Sequence, residues 1–114
     1  KKAIVFVISD FMTQEYEQTL KIASKKHDIT GIRVYDIREE KIPNLGMVPM
    51  LDAETGAIKL VDTGSKSVRM NYEKYYHDRV AYFKETFSKS GSGVVNTRVD
   101  ESYVTKLLGY FKSR

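Results

Sequence analysis

Cysteine is absent from the 114-residue chain. That excludes disulfides, thiolate metal sites and cysteine nucleophiles, and it fits a reducing compartment such as the cytoplasm. No apolar stretch approaches the ~20 residues of a membrane span and no signal-peptide pattern is present, so no direct membrane contact is expected. Neither sign of charge dominates: 19 Lys and Arg against 15 Asp and Glu, spread along the chain, leave +4. An even spread reads as solubility rather than a nucleic-acid footprint, and no nucleic-acid partner is expected. Histidine is scarce; His27 and His77 stand apart, without a second His or carboxylate at metal-ligand spacing. His27 reads as a complement to a helix dipole and His77 as part of a wet helix face. There is no Gly-x-Ser-x-Gly elbow, phosphate-cradling glycine loop or dinucleotide fingerprint. Repeats and low-complexity tracts are also lacking.

What is present is the composition of a globular domain, 41% hydrophobic and 30% charged. This length is one domain or a piece of one and buries roughly two-thirds of its unfolded surface. The chain opens on "KKAIVFVISDF". The unbroken apolar run Ala3 to Ile8, rich in β-branched residues and ended by Ser9, predicts a strand over 3–9 covered on both faces, as in a parallel sheet between helices. Thr13 suits a helix cap, with Glu15 and Glu17 in the first turn; Tyr16, Leu20 and Ala23 form one helix face, and Lys25, Lys26 and His27 suit its C-terminal end. "ITGIRVY" predicts a second strand over 29–35, completing a βαβ unit with a right-handed crossover.

The polar loop "IREEKIPNLG" leads to "MVPML" and "AIKLVDT" on either side of "DAETG", an antiparallel hairpin with Gly56 in the turn and Pro49 on an edge strand. Pro43, Gly46, Pro49 and Gly56 give this region little apolar anchoring, so a mobile flap is expected. From Ser67 to Ser88, Val68, Tyr72, Tyr76, Val80, Phe83 and Phe87 repeat at helical spacing. That spacing assigns Tyr72 and Tyr76 to the core and leaves Arg69, Lys74, Arg79 and Lys84 as a wet face rather than a single-strand-binding surface. "SGSG" ends the helix, "VVNTRV" is a last strand, Asp100 caps, and Val104, Leu107, Leu108 and Phe111 are the expected buried face of a final helix. The order β-α-β-hairpin-α-β-α predicts an α/β three-layer Rossmann-like sandwich: a short parallel sheet plus an antiparallel hairpin.

Ligands of open parallel sheets gather beyond the carboxyl ends of the strands. Asp10 and Asp36 both fall there, and two carboxylates on one edge can hold a hard cation such as Mg²⁺. The plainer reading is that strand ends need polar residues. In "YDIREE", Arg38 stands near Asp36, Glu39 and Glu40; it reads either as a partner contact or as a loop ion pair.

In order along the chain, "VFVISDF", "HDITGIRVYDIREEKIPNLG", "DAETG" with "VDT", a long charged helix and "DESYVTKLLGYFKSR" resemble the C-terminal part of the bacterial domain of unknown function 58 family. That family is similar to von Willebrand factor type A domains. The resemblance implies a parallel sheet between helices and a metal-ion-dependent adhesion site built from an Asp-x-Ser-x-Ser loop, a Thr loop and an aspartate after the fourth strand. Asp10 matches that last aspartate, with Phe11 where other type A domains commonly carry glycine. The other two loops have no match. The resemblance therefore implies that residues 1–114 are the second, C-terminal half of such a domain, truncated at its fourth strand. It further implies a non-enzymatic interaction domain that partners a MoxR-type AAA+ ATPase and binds Mg²⁺ through Asp10 only in the intact parent, with no tight cation in this chain. Asp36 and Arg38 are the expected partner contacts, and the parent is expected to be cytoplasmic or tethered upstream. The alternative is a receiver-like phosphotransfer module using Asp10, although the acidic pair and the lysine that such modules need are not in place. A first strand without its neighbour also predicts self-association through the exposed edge.

Overall fold

The computed structural model describes residues 2–52 and 55–113. The elements are β1 (Ile4–Ser9), α1 (Glu17–Ser24), β2 (Asp28–Tyr35), a 3-10 turn (Ile37–Glu39), β3 (Met47–Leu51), β4 (Ile58–Asp62), α2 (Lys66–Lys89), β5 (Gly93–Arg98) and α3 (Tyr103–Lys112). They form a mixed α/β fold in two compact units: Lys1–Ile37 with Asp78–Arg114, and Arg38–His77.

The first unit is a parallel sheet in the order β1-β2-β5. β2 is central and mostly buried, as its mixed apolar run allows. Along β2, Ile29 and Gly31 face one side and Thr30 and Ile32 the other, following the period of two. On the first side lies the core cluster of Phe11, Leu20, Ile29, Phe83 and Phe87, joined by Val5, Tyr16, Ala23 and Val94. Phe83 and Phe87 come from the second half of α2 and carry the last two positions of the predicted stripe. Each buried ring contributes about 2–3 kcal/mol by leaving water. Their approach to the sheet requires Gly31: a Cβ there would lie 2.5 Å from Cε2 of Phe87 and 2.8 Å from Cε1 of Phe83. The other side carries α3, through Tyr110, whose hydroxyl lies 3.2 Å from Thr30 Oγ1, and Phe111, edge-on to Phe6 at 5.8 Å. Helix, sheet and helix are thus the three expected layers.

Four local expectations are corrected. β1 is an edge strand, and Ile4, Phe6, Val7 and Ile8 are exposed, so the run is not covered on both faces. Thr13 does not cap α1; the N-cap position is Tyr16, without a side-chain cap. Instead the Tyr82 hydroxyl oxygen accepts from the backbone N–H of Glu15 (3.1 Å) and Glu17 (3.2 Å). Asp100 does not cap α3; Ser102 does, accepting from Thr105 N–H. And the apolar face of α3 is not buried: Val104, Leu108 and Phe111 are exposed, with Leu107 intermediate. At the end of α2, "SGSG" makes the expected break. Gly91 N–H donates to Ser88 O and Ser92 N–H to Phe87 O, the paired bonds of a Schellman motif, with Gly91 at φ 76.

The second unit contains the predicted hairpin. β3 pairs antiparallel with β4, Pro49 opposite Leu60, and Gly56 takes the positive φ expected of it; Ala53 and Glu54 of the turn lie outside the described residues. The base of the hairpin is fastened by Thr63, which is fully buried. Its hydroxyl accepts from Leu45 N–H at 2.9 Å and donates to Gly46 O at 2.6 Å. Arg69 Nη1 donates to Thr63 O at 2.7 Å. Tyr76 is buried and Tyr72 half-buried, its hydroxyl donating to Glu39 O at 2.6 Å. Burial, with Glu39 and the neighbouring tyrosines, raises the Tyr72 pKa.

Candidate functional site

The carboxyl edge of the parallel sheet brings Asp10 and Asp36 onto adjacent strands. Ser9 is paired with Arg33, so Asp36 lies two residues further along than Asp10, a stagger of roughly 7 Å. Asp10 is exposed, and its Oδ1 accepts from Met12 N–H at 3.1 Å. The next residue is Phe11, at φ 57. This is the left-handed region, costing about 1–2 kcal/mol for a non-glycine residue, at the position where the family resemblance puts glycine. The strain is offset by the ring, which is buried and stacked on Phe83 at 4.2 Å with Phe87 edge-on at 5.3 Å. The Asp10 turn is thereby anchored to the core.

Beside this edge, on the α3 side, an apolar cavity of about 350 Å³ opens between the sheet and the helix, walled mainly by Ile8, Ile32, Val34, Val95, Val99 and Leu107. The rim is charged. Arg98 Nε lies 3.1 Å from Asp100 Oδ1 and 3.6 Å from Glu101 Oε1, and Lys106 Nζ lies 3.4 Å from Glu101 Oε2. The backbone N–H of Arg98, with Lys106, holds the Glu101 carboxyl below its usual range. This rim was not read from the sequence; the available signal was the i, i+3 spacing of Arg98 and Glu101 across the turn before α3. Also unread was Arg33, a buried cation in the middle of the sheet, whose Nε donates to Asn96 Oδ1 at 2.7 Å and whose guanidinium sits 4.2 Å over the Tyr35 ring.

The remaining candidates are elsewhere. Arg38 belongs to the second unit, exposed in the 3-10 turn, so it is not described together with Asp10 or Asp36. In that same unit Glu40 pairs with His77, Oε1 to Nε2 at 3.1 Å, so His77 has a carboxylate partner that its spacing did not reveal. His27 follows the end of α1, and its Nδ1 accepts from Ala3 N–H at 3.0 Å, tying that end to the start of β1. Among the described residues no group of three or more His, Asp or Glu side chains is arranged to hold a metal. Asp10 and Asp36 alone leave a hard cation mostly hydrated, so the residues present do not by themselves fit Mg²⁺. Among the described residues no helix is long and apolar enough to cross a membrane.

These features define an α/β domain with an open parallel-sheet edge and an apolar cavity next to it. Within that class, the family model described as "Protein of unknown function DUF58" matches residues 1–82, and the chain belongs to that family. An uncharacterized protein of Mycobacterium avium is 25% identical over the whole chain, which covers 68% of that protein. One of Mycobacterium tuberculosis is 22% identical, again over the whole chain, which covers 36% of it. The chain therefore spans about two-thirds of the first relative and little more than a third of the second. A solved structure, the conserved hypothetical protein BatB from Bacteroides thetaiotaomicron, aligns with 96% of this chain and 47% of its own at 18% identity and a TM-score of 0.40.

Proposed function

We propose that the chain is a non-enzymatic, cytoplasmic protein-interaction domain that engages its partner at the carboxyl edge of the sheet. The observation that carries this reading is the 350 Å³ cavity with its charged rim and an apolar wall that includes the exposed Val99. Apolar surface gathered around a cavity and rimmed by charge is how interaction sites are commonly built. The partner implied by the family resemblance, a MoxR-type AAA+ ATPase, is the one we propose, with Asp36 contributing a contact at that edge and Arg38 a separate contact from the second unit. In the same reading the chain is the C-terminal half of a von Willebrand factor A-like domain. Asp10 then becomes a Mg²⁺-site residue in a longer parent that supplies the direct ligands. The left-handed turn after Asp10 and the greater length of the relatives support this.

The test is co-purification and titration with the ATPase. Val99→Asp, at an exposed site on the cavity wall, is expected to weaken binding at least tenfold while leaving the fold intact. Asp10→Ala is expected to weaken it only when Mg²⁺ and the longer parent are used. Unchanged binding by Val99→Asp would remove the cavity from the reading.

A further inference from the structure

The hairpin of the second unit lies well inside the sequence, and its two long edges differ. Thr63 N–H donates to Gly46 O and Asp52 N–H to Ala57 O. In this register Val48 with Val61 and Met50 with Lys59 are therefore the pairs that exchange backbone bonds. Met47, Pro49 and Leu51 on β3, and Ile58, Leu60 and Asp62 on β4, point their backbone groups outward, because hydrogen-bonded and non-hydrogen-bonded pairs alternate. Pro49 has no N–H to offer and blocks the β3 edge. β4 carries no such block: its three outward residues present a full row of donors and acceptors, and among the described residues it pairs with β3 alone. The outward residues also share one face of the ribbon, where Met47, Leu51, Ile58 and Leu60 are 59%, 69%, 71% and 70% exposed. An open backbone edge and an apolar face thus meet along β4, the arrangement that recruits another strand.

We propose that the β4 edge takes up an extended segment of a partner protein as a third, antiparallel strand. This does not depend on the cavity in the sheet unit. The residue types of β4 state what the segment carries. Residues opposite Ile58, Leu60 and Asp62 form hydrogen-bonded pairs, and those opposite Lys59 and Val61 form the closer non-hydrogen-bonded pairs. Complementarity across the strands asks for apolar side chains opposite Ile58 and Leu60 and a basic one opposite Asp62. It asks for an acidic one opposite the exposed Lys59 and a β-branched one opposite the half-buried Val61. Read in its own direction, the segment is basic, β-branched, apolar, acidic, apolar. β4 of a second copy does not meet this pattern. Centred on Leu60 it sets Ile58 against Asp62, centred on Val61 it sets Leu60 against Asp62, and centred on Lys59 it sets two lysines together. A lipid surface fits less well, since Asp62 at the base and Asp52 beside the turn put negative charge at both ends of the ribbon, against anionic headgroups.

Fluorescence anisotropy with the whole 114-residue chain tests this, the probe being a labelled peptide Thr-Arg-Val-Ile-Glu-Val-Thr, which has that pattern. Saturable binding is expected. N-methylation of the peptide's Ile, which removes the N–H meant for Leu60 O, is expected to abolish it. Lys59→Glu is expected to weaken binding about fivefold, and the peptide with Lys in place of Glu to recover it on that variant. Leu60→Pro removes an outward N–H and no bond to β3, so the amides of Val48 and Met50 should stay protected while binding is lost. Should that variant open the hairpin, the Lys59 charge swap decides alone. No saturable binding to wild type by about 1 mM overturns the proposal. So does binding that survives N-methylation, or a charge swap that gives no recovery. Sedimenting dimers that Leu60→Pro dissociates would assign the edge to a second copy. Flotation with phosphatidylcholine vesicles that Leu60→Asp abolishes would assign the face to lipid. Either result overturns it as well.

Discussion

The two units are held together by different physics. The sheet unit is organised around fully or nearly fully buried rings, Phe11, Phe83 and Phe87. The hairpin unit keeps the outward residues of its strands, Met47, Leu51, Ile58 and Leu60, exposed. Its base is instead closed by the bonds of a single buried threonine, Thr63, with Leu45, Gly46 and Arg69. A two-stranded ribbon with little apolar cover is marginal by itself. The contrast implies a sheet unit whose loss is global unfolding and a hairpin that opens at lower free energy.

The contrast breaks most severely at Phe83. Phe83→Ala empties the space facing Gly31 and is expected to cost about 3–5 kcal/mol, a loss of the whole denaturation transition rather than of one region. Phe11→Gly should cost less, about 2–3 kcal/mol, since release of the left-handed strain returns about 1–2 kcal/mol of the lost packing. A Phe11→Ala variant, which loses the ring and keeps the strain, should be the less stable of the two in urea titrations. Thr63→Val removes the hydroxyl and leaves Leu45 N–H without its acceptor, for about 1–3 kcal/mol. Here the readout differs in kind: amides of β3 and β4 should lose protection while those of β2 keep theirs.

The smallest effects separate two tyrosines. Tyr82→Phe removes the acceptor that closes the start of α1 and should cost about 1 kcal/mol. Tyr16→Phe should be close to neutral, because the Tyr16 hydroxyl is buried with no hydrogen-bond partner among the described residues. Burial first, and Tyr82 second, push the Tyr16 pKa up from 10.0 to about 12. With the folded value above the unfolded one, this contribution is complete below pH 10 and is lost as pH rises through about 12. Denaturation midpoints across that window should fall for wild type and fall less for Tyr16→Phe.

How much of this was legible depended on whether the signal was local. The α2 stripe, the hairpin and the break at Gly91 rest on spacing and turn chemistry, and they appear where the sequence puts them. The α1 cap did not, because its acceptor is Tyr82, more than sixty residues away along the chain. The run from Ala3 to Ile8 and the stripe at Val104, Leu107, Leu108 and Phe111 carried a different ambiguity. Apolar residues at strand or helix spacing announce a surface that wants cover, but not what covers it, and here much of that surface is open. For the site, Asp10 and Asp36 were found by their place at strand ends. The Arg98, Glu101 and Lys106 rim was missed because its members meet only once the turn before α3 folds. Arg38 fell in the other unit.

Site-resolved amide exchange under native conditions tests the contrast between the two units most directly. Amides of β2 should exchange only with the free energy of global unfolding measured in urea, while those of β3 and β4 should exchange through a smaller opening that Thr63→Val lowers further. Equal opening free energies in β2 and in the hairpin strands would contradict it.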